Sequence, residues 1–221
     1  IKAKIVTKLV EGAQRKVEEV NFAMRKNVLD YDDVMNKQRQ VIYAERNKIL
    51  DGKDLMELIE TVTASTTQRI CEEFCYGDAD EWDLEGLEKW LTELTGKTDL
   101  PEFTEDTKFE QLEEDVTAFV QKTFDEKTQK LGEEVMRELA AQVMLRVIDT
   151  RWMAYLQEMD YLKTGIGLRG FGQRDPLVEY KTEAYEAFTL LVNTMYEDFL
   201  RTILRLELVN RPRQNTEAEA F

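Results

Sequence analysis

The chain has 221 residues, 45 acidic and 30 basic side chains, no histidine and a formal net charge of −15. That length can bury a real core, and 43% hydrophobic with 34% charged residues fits a helix-rich globular protein. The lack of histidine excludes histidine-based catalysis and histidine metal sites, and no apolar run approaches the ~18–20 residues that span a bilayer.

Residues 1–50 predict one helix. Val6, Val10, Ala13, Val17, Val20, Met24, Val28, Tyr31 and Met35 recur at steps of three and four, the helical period. Asp51–Gly52 is a stop signal. At ~1.5 Å per residue the rod is roughly 70 Å long and cannot form a core alone. It is expected to be a spine for other parts. The pattern is already under way at Ile1, so the chain is expected to be a piece of something longer. Asp32 and Asp33 are adjacent and point about 100° apart on a helix, so they do not converge on one substrate atom.

A second helical pattern runs over 53–76, with Leu55, Leu58, Ile59, Val62, Ile70 and Phe74. It contains Cys71 and Cys75, four apart and without a histidine partner, which read as small buried apolar residues rather than as a metal site. The texture then changes. Gly77, Gly86, Gly96 and Pro101 are expected to break the chain into short helices, with Trp82, Trp90 and Leu91 filling a small core. Residues 72–126 hold 19 Asp/Glu against 4 Lys/Arg, while the remainder holds 26 of each sign. All the excess acid lies in this middle segment. It argues against nucleic acid as a partner, because phosphate binding needs a basic face.

Residues 132–166 return to a long helix in which Leu145, Ile148, Trp152, Tyr155, Met159, Leu162 and Ile166 make a heptad-like seam. After Pro176 a matching helix is expected, with Val178, Tyr185, Val192, Phe199 and Leu206 every seven residues and Phe188 and Met195 between them. Asp175–Pro176 suits a helix start. Two seams joined by GIGLRGFGQRDP (165–176) predict an antiparallel helical hairpin. Its turn, about nine residues long over 167–175, exceeds what chain reversal needs and carries Arg169, Phe171 and Arg174. From composition alone this reads equally as an ordinary loop with Phe171 tucked against Ile166 or Leu168, or as an apolar side chain held at a tip far from any core, which is informative because such residues are normally buried.

The fold class is therefore all-α. The expected organisation is a long helix over 1–51, a small acidic helical domain over 52–131, the hairpin over 132–208 and a disordered tail over 209–221. There is no GxxxxGK[ST] phosphate loop and no GxGxxG. By itself the segment is not expected to be an enzyme.

AQRKVEEVNFAMRKNVLDYDDVMNKQRQVIYAERNKIL (13–50) and VIDTRWMAYLQEMDYLKTGIGLRGFGQRDPLVEYKTEAYEAF (147–188) resemble the SecA family of bacterial preprotein export motors. The first stretch is similar to the family's long scaffold helix and the second to its two-helix finger. The acidic segment between them then stands where the family has its helical wing domain. The resemblance implies an accessory part of an ATPase whose nucleotide domains, with their ATP and Mg, lie elsewhere, so no cofactor is expected in this segment. It implies the SecYEG channel, preprotein, the nucleotide-binding domains and anionic lipid headgroups as partners, with a homodimer also open. It implies a place on the cytoplasmic face of the bacterial plasma membrane, held peripherally. At the fingertip it implies contact with preprotein and channel through Phe171, Arg169, Gly170, Gln173 and Arg174, where Phe171 stands in a position commonly Tyr. Lys163 would add to the basic character there. On the scaffold helix it implies that Asn21, Arg25 and Asp32 dock the ATPase domains. Without the resemblance, the same pattern reads as a coiled-coil or helical-bundle interaction module with no motor role.

Overall fold

The computed structural model describes residues 2–52, 55–104, 107–167 and 175–207, with side chains from residue 4 on. The tip residues 168–174 and the expected tail over 209–221 lie outside them. Among the described residues there are six α-helices, one 3-10 turn and no strand, as the all-α reading requires. The helices are α1 (Lys2–Asp51), α2 (Leu55–Phe74), α3 (Leu84–Thr95), α4 (Phe109–Leu131), α5 (Glu133–Ile166) and α6 (Pro176–Arg205). The chain packs as two units, one of residues 1–58 with 141–196, the other of 59–140 with the residues from 197 on.

In the first unit, α1, α5 and α6 share one core. α5 buries Ile148, Trp152, Tyr155, Met159 and Ile166, the seam expected from its spacing. On α6 the expected Met195 and Phe199 are buried, but the earlier seam positions depart from expectation. Val178 and Tyr185 are 57% and 73% exposed, and the buried residues are Tyr180, Ala184, Leu191 and Met195. A strict seven-residue repeat drifts about 20° per heptad around a 3.6-residue helix, so Val192 is still half-buried, while Tyr185 and Val178, two and three heptads before Phe199, have turned away from the side that carries Met195, Leu191 and Ala184. The small Ala184 marks the true face because it lets another helix approach its backbone.

On α1 the buried or half-buried positions Tyr31, Val34, Met35, Gln38, Ile42 and Ile49 keep to one face. The same face continues toward the N-terminus through Val6, Val10, Val17, Val20, Met24 and Val28, yet every residue from 4 to 29 is exposed. One apolar stripe therefore runs the whole helix, and only its second half is covered.

The second unit is built from α2, α3, α4, the start of α5 and the end of α6. Leu87, Leu91, Leu94, Leu112, Val116, Val120 and Phe199 are fully buried in it. Trp90 and Leu91 are core residues, as expected, and Trp82 is half-buried against Phe109. Gly96 ends α3 in the left-handed conformation at φ 72°, which glycine adopts without a Cβ penalty. Gly86, expected to break a helix, instead sits in the first turn of α3, where its amide donates to Asp83 at 2.9 Å. A Cβ there would come within 2.7 Å of the Phe74 ring, so this glycine serves close packing rather than a turn. Thr67 hydrogen-bonds Thr117 at 2.7 Å, tying α2 to α4. Glu197 of α6 accepts from Arg69 at 3.0 Å, Trp90 at 3.1 Å and Arg201 at 3.1 Å, joining α2, α3 and α6.

Candidate functional site

The fingertip residues Arg169, Gly170, Phe171, Gln173 and Arg174 lie outside the described residues. Their flanks are described. α5 ends at Ile166, which is buried, and α6 begins at Pro176 behind Asp175. The Asp175 carboxylate accepts from the Leu177 amide at 2.9 Å, the N-cap expected from Asp–Pro. One turn before the end of α5, Lys163 donates to Asp32 of α1 at 2.8 Å. Asp32 is thus paired with the hairpin within the chain. Asn21 and Arg25 stand apart from it, on the exposed half of α1.

Below that pair is a polar node inside the first unit. The Gln38 amide nitrogen donates to the Ala184 carbonyl at 2.9 Å, and its oxygen accepts from the Tyr155 hydroxyl at 3.0 Å. Tyr155 also reaches the Ala184 carbonyl at 3.2 Å. Burial pushes the Tyr155 phenol well up from its ordinary range, against the opposing pull of the Gln38 hydrogen bond. Tyr180 packs on Tyr31 at 4.8 Å between ring centroids, and burial followed by the charge of Asp32 pushes its phenol up as well. The sequence reading missed Gln38. Its signal was a lone amide on the stripe between Met35 and Ile42.

On the hairpin, Met159 and Leu162 of α5 and Ala187 and Leu190 of α6 line a groove of about 450 Å³. Glu158, Glu183 and Glu186 line it too. An apolar floor beside three carboxylates suits a segment that is itself apolar and basic.

Among the described residues no three His, Cys, Asp or Glu side chains are placed so that they could hold a metal ion. Cys71 and Cys75 are free and buried, and burial, then the neighbouring Cys75, pushes the Cys71 thiol up to about 12. A thiol so held is a packing residue rather than a nucleophile. No described helix is long and apolar enough to cross a membrane.

The family model for the SecA wing and scaffold domain matches residues 1–207. The protein translocase subunit SecA of Syntrophomonas wolfei is 40% identical over 227 residues, covering 99% of this chain and 27% of that protein. The SecA subunit of Halothermothrix orenii is 39% identical over 96% of the chain, and that of Cutibacterium acnes 41% over 96%. The chain spans about a quarter of the length of these relatives. The long scaffold helix, the acidic helical unit and the hairpin, read with these matches, place the chain in the SecA family, as its wing and scaffold region.

Proposed function

We propose that this chain is the scaffold, wing and finger of a SecA motor that drives preprotein through the SecYEG channel using ATP bound elsewhere in the protein. α1 docks the nucleotide-binding domains, the hairpin presents Phe171 and its basic neighbours to preprotein and channel, and the assembly restrains ATP hydrolysis. The motor sits peripherally on the cytoplasmic face of the membrane, where Arg169 and Arg174 suit anionic headgroups, Lys163 being paired with Asp32.

The observation that carries this reading is the half-covered stripe of α1. Leu9, Val17, Val20, Met24 and Val28 are 44–68% exposed on a face whose continuation is buried. A contiguous exposed apolar face marks an interaction surface. About three quarters of each relative's length lies outside the matched region, enough to supply the cover. Asn21 and Arg25 lie in the same exposed half and would supply polar contacts there. The acidic, apolar groove on the hairpin adds a second surface fit for a polypeptide.

The test is Met24→Glu with Val28→Glu, made both in the 221-residue chain and in the full-length translocase. In the chain alone both side chains face solvent, so thermal stability is expected to stay unchanged. In the full-length protein the restraint on basal ATP hydrolysis should be lost, with preprotein transport reduced. Unchanged hydrolysis and transport would remove α1 as the docking face. A chain that acts only as a helical-bundle module predicts that Phe171→Ala leaves transport intact, whereas a working finger predicts its loss with the fold preserved.

A further inference from the structure

The apolar seams joining α1 to the hairpin have a property that packing alone does not resolve. Apolar contact is non-directional, and each helix presents an apolar side chain on the seam at nearly every turn. Sliding one helix by a turn, about 5.4 Å, places apolar residues against apolar residues again. Polar groups on such a seam discriminate between registers, at some cost in stability.

Gln38 is such a group. It is 8% exposed and occupies a stripe position flanked by Met35 and Ile42. Its amide touches both arms of the hairpin, Tyr155 on α5 at 3.0 Å and the Ala184 carbonyl on α6 at 2.9 Å. The chemistry fixes its orientation. A backbone carbonyl only accepts, so the amide nitrogen must face Ala184 and the oxygen is left for the Tyr155 hydroxyl. The site on α6 is equally particular. Ala184 is fully buried, with the bulky Tyr180 four residues before it and Phe188 four after, while the other small residue nearby, Ala187, lines the groove with Met159 and Leu162. Either Tyr180 or Phe188 at this height would hold the amide away from the backbone. In the observed register both ends of Gln38 are satisfied, and a slip by one turn would break both bonds at once and leave the buried amide to find new partners.

We propose that Gln38 is a positioning residue that pins the axial register of the hairpin against α1, and so fixes how far along the spine the hairpin reaches. The pin acts within the first unit. Its existence does not depend on the proposed function, but its consequence for transport does.

The register is tested in the 221-residue chain carrying spin labels at two exposed positions, Gln40→Cys on α1 and Lys181→Cys on α6, with Cys71 and Cys75 replaced by Ala. The parent is expected to give one narrow interlabel distance by pulsed electron paramagnetic resonance. The double variant Gln38→Leu with Tyr155→Phe removes the polar side chains of the node and leaves Ala184 its own helical hydrogen bond. Replacing both partners by apolar groups is close to neutral for stability. The variant is therefore expected to melt at or above the parent temperature yet show a second distance, or one displaced by about 5 Å. Tyr155→Phe alone keeps the Gln38–Ala184 bond and should keep the parent distance. A double variant whose distances superimpose on the parent's overturns the proposal. Should it lose helical ellipticity, Gln38→Met is measured in the same way. Collapse of both also overturns the proposal, because the node would then hold the fold together rather than choose among its registers. In full-length translocase the double variant is expected to slow preprotein transport. A shifted distance with unchanged transport would keep the pin and count against the hairpin as a working contact.

Discussion

Lys163 and Asp32 stand 2.8 Å apart, one turn before the described end of α5, and form an ion pair between hairpin and spine. The two side chains are 41% and 51% exposed, so water and salt screen their attraction. Exposed pairs of this kind contribute about 0.2–1 kcal/mol. A double-mutant cycle with Lys163→Gln and Asp32→Asn, followed by urea unfolding, should return a coupling in that range at low salt. It should vanish near 1 M salt. A coupling several times larger would mean that the pair is less exposed than its geometry indicates.

Two buried tyrosines should respond oppositely to loss of a hydroxyl. Tyr155 gives its hydroxyl to Gln38 and Ala184, whereas the Tyr180 hydroxyl is buried and finds no hydrogen-bond partner among the described residues. Tyr155→Phe leaves the buried amide oxygen of Gln38 without its donor and should cost about 1–2 kcal/mol. Tyr180→Phe removes a desolvated group that gains nothing in return and should be neutral or stabilising by up to about 1 kcal/mol. Chemical denaturation of the two single variants decides the order.

The contrast also explains what was legible in the sequence. Helix positions followed from three-and-four spacing, and the α5 seam held because Ile148, Trp152, Tyr155 and Met159 are large and regularly placed. On α6 the expected Met195 and Phe199 are buried, but the seam fails toward the start of the helix, where size does not mean burial. Val178 and Tyr185 face solvent, while Ala184 carries the contact that matters. Gln38 escaped because a single amide on an apolar stripe looks like an interruption until its partners, more than 100 residues away in sequence, are known. The exposed half of α1 shows the same pattern as its buried half, so periodicity alone could not tell where the cover ends.

Alkaline pH should unfold the chain through groups that must lose protons. Burial holds the Cys71 thiol at about 12 against an ordinary 9.0, and the phenols of Tyr155, Tyr180 and Tyr196 are also raised. For each group the folded state keeps its proton longer than the unfolded state. The stabilisation is full below the unfolded value and is lost as pH rises through the folded one. For Cys71 the window is pH 9 to about 12, with a slope of at most about 1.4 kcal/mol per pH unit. Urea midpoints under reducing conditions at pH 8, 9.5 and 11 should therefore fall for the parent. The stability difference between parent and Cys71→Ala should shrink as pH rises. A constant difference would mean that the thiol is free to ionise in the folded state.

Two glycines inside helices should respond in opposite directions to an added methyl group. Gly12 lies in the exposed half of α1 with nothing within 4 Å of where a Cβ would stand. Gly12→Ala removes a flexible residue from a helix interior and should stabilise by about 0.5–1 kcal/mol. Gly86 lies in the first turn of α3, where the same atom would run into the Asp83 carboxylate and approach the Phe74 ring to 2.7 Å. Asp83 caps α3 through that amide, so displacing it costs the cap as well as the packing. Gly86→Ala should destabilise by about 1–3 kcal/mol. The two variants are best read by separate probes. Far-ultraviolet circular dichroism follows the helical gain from Gly12→Ala, while Trp90 fluorescence reports the second unit, where Trp90 is buried on α3. If Gly86→Ala left the Trp90 transition unmoved, the close approach of α3 to Phe74 would not be a constraint on that unit.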